Sequence, residues 1–141
     1  MDSHESSRIA APLVRRLGEH ADAIQIADAM VVVWSEIDCV LAPIIGHRGV
    51  VALCRRSLYL AAMRHACLTG VYASVQSGIE FSDLKPVIAQ QADITVAVGD
   101  EVLQLFYGLL VTLIGNSLTE RLLRPVWENS LADPRVQDSS L

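Results

Sequence analysis

At 141 residues with 52% apolar content, the chain is long enough for one domain with a sizeable core. Aromatics make up only 5%, so Leu, Val, Ile and Ala must fill that core, which favours helix on helix over an aromatic-rich sandwich. The net charge of −5, the pI near 5.2 and the lack of aromatics interleaved with bases weigh against a nucleic-acid binder.

Residues 1–7 are polar and acidic, without the pattern of a signal peptide, and are expected to form a flexible N-terminus. Ile9, Leu13 and Leu17 recur every fourth residue and predict a short helix, with Pro12 in its first turn and Gly18 at its end. Residues 22–45 hold the clearest amphipathic pattern. Ala27, Met30, Trp34, Ile37, Leu41 and Ile44 form a heptad-like seam, flanked by Ile26, Val33 and Val40. Pro43 is expected to kink or end this helix.

Gly46-His47-Arg48-Gly49 carries the strongest turn signal in the chain. A long helix is expected over 50–77, with Leu53, Leu60, Cys67, Leu68, Val71, Tyr72 and Val75 on its apolar side. Ser82 to Pro86 opens a short helix, with Ser82 as its cap. Residues 90–93 break the pattern, and Ile94–Val98 is read as helix rather than strand because no other segment alternates clearly.

The third long helix, over 93–115, is apolar almost all round, and a buried core helix is expected. Its seam is Val102, Phe106, Leu109 and Leu113. Its uninterrupted apolar run, Leu105 to Val111, falls short of the roughly 18 residues a membrane span needs, so no span is expected. Gly108, Thr112 and Gly115 give it one small-residue side, read first as core packing and second as a dimer seam. Asn116-Ser117-Leu118-Thr119-Glu120 reads as a capping box for a last helix, in which Leu118, Leu122 and Val126 share a face. Glu120 and Arg124 form an i,i+4 pair, Pro125 kinks or ends the helix, and Trp127 folds back on the core. Residues 129–141 are expected to be a disordered polar tail. No repeat of solenoid period stands out. The fold class is therefore all-α: a single domain over residues 8–128, a bundle of three long and about three short helices.

Charge is unevenly placed. Residues 46–67 hold Arg48, Arg55, Arg56 and Arg64 with no acid, between two acidic arms. Pairing between island and arms is the simplest account. The rival is an anion site at Gly46, His47, Arg48, Gly49 and Arg55. Two glycines lead into a helix N-terminus, Arg48 offers a planar fork, and Arg55 lies nearly above it. It is neither a phosphate-binding P-loop nor a dinucleotide fingerprint, because no Gly-Lys-Ser/Thr follows and no strand precedes.

His65, beside Arg64, is the best candidate phospho-acceptor for a phosphotransfer bundle. Cys39, His47, Cys54, His65 and Cys67 match no zinc module, so no metal and no cofactor is expected. No Gly-x-Ser-x-Gly and no activated cysteine speaks for nucleophilic catalysis. Asp100 and Glu101 read as favourable charge in the early turns of a helix.

Three cysteines without a Cys-x-x-Cys motif fit reduced thiols in the cytoplasm. The mean hydropathy of +0.38 and two wide apolar helices fit a homodimer. The expected function is a non-enzymatic helical interaction module, a regulatory or signalling accessory with an unidentified protein partner. The alternatives are a small-anion or nucleotide-binding protein using the Gly46–Gly49 turn and, behind it, phosphotransfer through His65.

Overall fold

In a computed structural model, residues 12–18, 20–76 and 81–129 are described; they form helices joined by short connections, with no strand among them. The all-α expectation holds. The predicted flexible segment 1–7 and the tail beyond Asn129 lie outside the described residues, as does Ile9.

Helix α1 spans Pro12–Leu17. Proline suits its first position, where a missing N–H leaves no hydrogen bond broken. Gly18, at φ 78°, closes it by donating to the Val14 carbonyl at 2.8 Å. The open N-terminus is satisfied from far along the chain. The Asp100 carboxylate accepts from the Leu13 N–H at 2.9 Å and the Val14 N–H at 3.1 Å. Asp100 is only 4% exposed, so this acid is a buried remote cap and not the solvated dipole charge its position implied.

Helix α2 spans Ala23–Ala62. Asp22 begins it with a capping box: its side chain accepts from the Gln25 N–H at 2.8 Å, and the Gln25 side chain accepts from the Asp22 N–H at 3.1 Å. The predicted seam is buried from Ala27 to Leu41, but Ile44 is 48% exposed. The bend falls at Gly46 (φ 82°, ψ 154°) rather than at Pro43. That backbone region is open essentially to glycine alone. The expected turn over Gly46–Gly49 is therefore a one-residue corner, and His47 to Gly49 already belong to the second limb.

The helix expected over 50–77 is divided. The second limb of α2 stops at Ala62; the Arg64 and His65 N–H groups both return to the Ala61 carbonyl, at 3.0 and 2.9 Å. After a 3-10 turn at Ala66–Leu68, helix α3 spans Thr69–Gln76. Both pieces keep an apolar stripe, which is why the sequence reads as one helix. A second 3-10 turn, Phe81–Asp83, leads into α4, Leu84–Ala89, without the expected side-chain cap from Ser82.

Helix α5 spans Val96–Ile114, capped by Thr95, whose hydroxyl accepts from the Val98 N–H at 3.2 Å. Its N-terminal half is buried, as Val102, Leu103, Phe106 and Leu110 are. Its C-terminal half is not a core helix all round: Gly108 and Thr112 are exposed and Leu113 is 59% exposed. Helix α6, Asn116–Asn129, follows without a loop. Gly115 (φ 94°, ψ 156°) ends α5 and accepts from the Thr119 N–H at 3.1 Å, so it starts α6 as well. Ser117 and Glu120 thus lie inside the helix and form no capping box. The helix runs past Pro125, and Trp127 is buried as expected.

Trp34 sits at the middle of the core, edge-on to Phe106 (centroids 4.8 Å apart) and stacked on Phe81 (5.7 Å). Gly99 lets α1 close on α5, since a Cβ there would collide with Leu13 Cδ1 and crowd Met30 Sδ at 3.3 Å.

The burial pattern repeats around the two glycine corners. With Gly46 placed on Gly115, most buried positions of α2 and of the α5–α6 pair coincide, the exceptions being Ile26, which falls on exposed Thr95, and Asp100, which falls on half-buried Val31. Ala27, Ala29, Met30, Val33, Trp34, Ile37 and Leu41 fall on Val96, Val98, Gly99, Val102, Leu103, Phe106 and Leu110. Beyond the corner, Val50, Cys54, Ser57 and Leu58 fall on Thr119, Leu123, Val126 and Trp127. The exposed Ile44 falls on the exposed Leu113. The pair bridging the first corner, Asp38 with His47, falls on Tyr107 with Asn116, whose hydroxyl and side-chain oxygen are 3.4 Å apart. Each unit has a short helix, a long helix, a glycine corner and a second helix. The short helix α4 packs on α2, whereas α1 packs on both α5 and α2.

By length and composition alone, α2 and α5 are each apolar enough to cross a bilayer, with mean hydropathy of 1.7 and 1.5 over their best windows. The short run from Leu105 to Val111 understated this. In the fold these two helices pack against each other.

The two like corners make matched predictions. Gly46→Ala and Gly115→Ala will each lower the unfolding free energy by about 1–3 kcal/mol in urea titrations, although no atom lies near either site. Thr119, fully buried where the first unit has Val50, has a hydroxyl with no partner among the described residues. Thr119→Val will therefore stabilise by roughly 1 kcal/mol in the same measurement. Asp100→Ala will cost at least about 1–3 kcal/mol, since it strands two N–H groups at the start of α1.

Candidate functional site: a basic groove between two helices

Near its end the second limb of α2 carries Arg55 and Arg56 on one turn and Tyr59 on the next, and the break at residues 63–68 brings α3 back beside it. Tyr72 of α3 meets Tyr59, ring centroids 5.4 Å apart and tilted by 52°. The Arg56 guanidinium lies 5.7 Å from the Tyr59 ring centre, within cation–π range. Ala52, Arg55, Arg56, Tyr59 and Tyr72 enclose a groove of about 310 Å³. Among the described residues no carboxylate pairs with Arg55 or Arg56. Arg55 and Arg56, both exposed and both lining a groove with two aromatic rings, supply donors able to hold an anion with bidentate hydrogen bonds beside rings able to stack a planar group carried by it.

The structure separates the five residues predicted as an anion site. Gly46 is the corner, and Gly49 is within the second limb, its α-carbon facing Ile45 so closely that a Cβ would lie 3.2 Å from Ile45 Cγ1. His47 turns to its own helix: Nδ1 lies 2.9 and 3.0 Å from the two Asp38 carboxylate oxygens, and the ring meets the Phe81 face edge-on at 5.9 Å. Arg48 is exposed, two turns before Arg55 on the same side of the limb, and does not line the groove. Only Arg55 of the five reaches it. Arg56, Tyr59 and Tyr72 were missed because Tyr72 arrives through the chain reversal after Ala62, which the continuous apolar stripe conceals.

The charge island is partly neutralised by the acidic arms. Arg64 Nη1 pairs with Glu101 Oε2 at 3.1 Å, and His65 Nε2 with Glu101 Oε1 at 3.0 Å. His65 therefore leaves the helix expected for it, standing in extended conformation before the 3-10 turn with a carboxylate on its ring nitrogen. Arg16–Glu36 (3.0 Å) and Lys85–Asp28 (3.2 Å) tie α1 and α4 to α2. No group of acidic, His and Cys side chains suited to a metal ion occurs among the described residues.

The three cysteines are free and differ in setting. Cys54 lies in the core, and burial pushes its thiol well above the usual range. Burial also raises Cys67, against a backbone hydrogen bond that lowers it, with Asp93 adding to the rise. Cys39 is exposed on α2.

Compared with protein-family models, curated proteins and solved structures, the chain matches none.

Because the thiolate is the reactive form, a raised pKa and burial both slow attack. At neutral pH a disulfide reagent will modify Cys39 first, and Cys54 only at the rate of unfolding. Mass-mapped labelling with and without urea will show the order Cys39, Cys67, Cys54.

Proposed function

We propose that this protein is a non-enzymatic helical regulatory module whose working surface is the Arg55–Arg56–Tyr59–Tyr72 groove, and that a small anion bearing a planar group, of the nucleotide or aryl-carboxylate kind, is its ligand. The observation that carries this reading is the pair of neighbouring arginines without an acid partner among the described residues, set against two tyrosine rings in a groove of about 310 Å³. That volume is at the lower end of the size of ligand pockets, about 300–1,000 Å³. The reading keeps the anion-binding idea and moves it from the Gly46–Gly49 corner to the far end of the same limb. Phosphotransfer is less well supported, since a phosphoryl group on His65 would be set against the Glu101 carboxylate 3.0 Å from the ring.

The test is thermal unfolding against phosphates, nucleotides and aryl carboxylates at low salt. A ligand at a hundred times its dissociation constant will stabilise by about 2.7 kcal/mol, a rise of roughly 2–8 °C in Tm for a domain of this size. Arg55→Ala will abolish the shift, and 1 M salt will weaken it. A panel that shifts nothing, or a shift that survives Arg55→Ala, rejects the site.

A second reading concerns assembly. Gly108, Thr112 and Leu113 form an exposed small-and-apolar face on α5; an added Cβ at Gly108 would meet nothing within 4 Å. This supports a homodimer in which that face meets its copy. Light scattering at micromolar concentration will give twice the chain mass, and Leu113→Glu will return it to one; a monomeric wild type rejects the dimer.

A further inference from the structure

The second limb of α2 turns one consistent face outward. Of residues 47–63, only Arg48, Ala52, Arg55, Arg56, Tyr59 and Met63 are exposed, and none of them is acidic. At roughly 3.6 residues per turn these six fall within an arc of about 100°, on the side away from the buried Val50, Cys54 and Ser57. The face is about 22 Å long at helical rise. Arg48, Arg55 and Arg56 have no carboxylate partner among the described residues. At the far end Met63 is 70% exposed and Tyr59 41% exposed. Helix α3, packed beside this limb, has no charged residue and exposes Thr69, Gly70 and Ala73. Glu101, which reaches the end of the limb, is half-buried and engaged by Arg64 and His65. Although the chain carries a net charge of −5, residues 46–79 contain no Asp or Glu.

Such a face joins cations to uncovered apolar atoms, and an anionic leaflet answers both. Its plane offers phosphate and carboxylate oxygens wherever a guanidinium falls, and its hydrocarbon boundary takes a thioether and the body of a tyrosine. An acidic peptide would answer the arginines but leave Met63 and the neutral surface of α3 in water.

We propose that this face docks on the surface of an anionic membrane, with Arg48, Arg55 and Arg56 among the lipid headgroups and Met63 at the acyl boundary. The limb then lies along the leaflet, and no helix crosses it. The inference goes beyond the small-ligand reading and does not rest on it, although Arg55 and Arg56 serve both. Each base near an anionic leaflet raises partition about fivefold, so three arginines supply about a hundredfold. That attraction is screened by salt.

Flotation of the full chain at low salt tests the proposal, with vesicles of equal parts phosphatidylserine and phosphatidylcholine and with phosphatidylcholine alone. The wild type will float with the mixed vesicles only. Arg48→Gln/Arg55→Gln/Arg56→Gln will lower partition about a hundredfold. Lys85→Gln/Arg124→Gln, which removes two cations already paired with acids, will leave it nearly unchanged. Met63→Trp will be quenched by acyl-brominated lipid beyond the quenching of the buried Trp34 and Trp127 in the wild type. All substituted side chains are exposed, and circular dichroism checks that each variant folds.

No flotation overturns the proposal, as does flotation that survives the triple arginine variant or falls equally in Lys85→Gln/Arg124→Gln. An unquenched Met63→Trp on floating vesicles overturns it too, since charge alone would then hold the chain. Arginine-dependent binding to polyglutamate without flotation overturns it in favour of an acidic protein partner. Flotation alongside a thermal panel that shifts nothing upholds the docking face and rejects the soluble ligand. A nucleotide shift lost in Arg55→Ala, without flotation, does the reverse.

Discussion

The fold depends on two glycines that let a helix change direction in one residue. At Gly46 and Gly115 the backbone takes φ 82° and 94° with ψ near 155°, a combination that a Cβ makes costly. With a loop at either point the second limb would be free to set its own register. With a single-residue corner, the stripe before the glycine fixes where the stripe after it faces. That is why Val50 and Thr119, four residues beyond each corner, are both fully buried, while Ile44 and Leu113, two residues before, are both exposed.

From that constraint the rest of the packing follows. Two bent helical segments lie against each other; α4 packs on the first and α1 on both. The two bent segments differ where the core demands it. Trp34 in one is Leu103 in the other, and Met30 is Gly99, the glycine that makes room for Leu13. Only the first unit's partner carries the buried Asp100, which caps α1 with two hydrogen bonds across the molecule. A charge-assisted cap of this kind ties the first helix to the middle of the core more firmly than its six residues could manage by helix propensity.

Much of the fold was readable from periodicity, and the failures have a common cause. The seam from Ala27 to Leu41, the role of Gly18 and the burial of Trp127 all follow from local pattern. The 50–77 helix was misjudged because Leu58, Ala61, Leu68 and Val71 keep a helical spacing across a break made by tertiary pairing of Arg64 and His65 with Glu101. The capping box at Ser117 lost to the corner at Gly115, where the glycine carbonyl is already the first acceptor of α6. The repeated burial pattern leaves little mark in the sequence, because the matching residues (Val33 with Val102, Leu41 with Leu110, Ile45 with Ile114) are interchangeable with any aliphatic.

The same reasoning explains how far the groove could be anticipated. Arg55 was singled out for its charge and for its place above Arg48, both properties of one helix. Tyr59 and Tyr72 are thirteen residues apart in sequence and share a wall only because the chain reverses between them. A site composed across a reversal leaves no spacing to find. What remains visible in the sequence is its electrostatic half, the run of four arginines without an acid. Of these, the structure commits Arg64 to Glu101 and leaves Arg55 and Arg56 together at the groove, so the surplus charge that looked like a property of the whole segment is concentrated at one place. Surface arginines in a chain of net negative charge ordinarily find carboxylates close by; Arg55 and Arg56 have none among the described residues and stand instead beside aromatic rings, which concentrates positive charge at this groove.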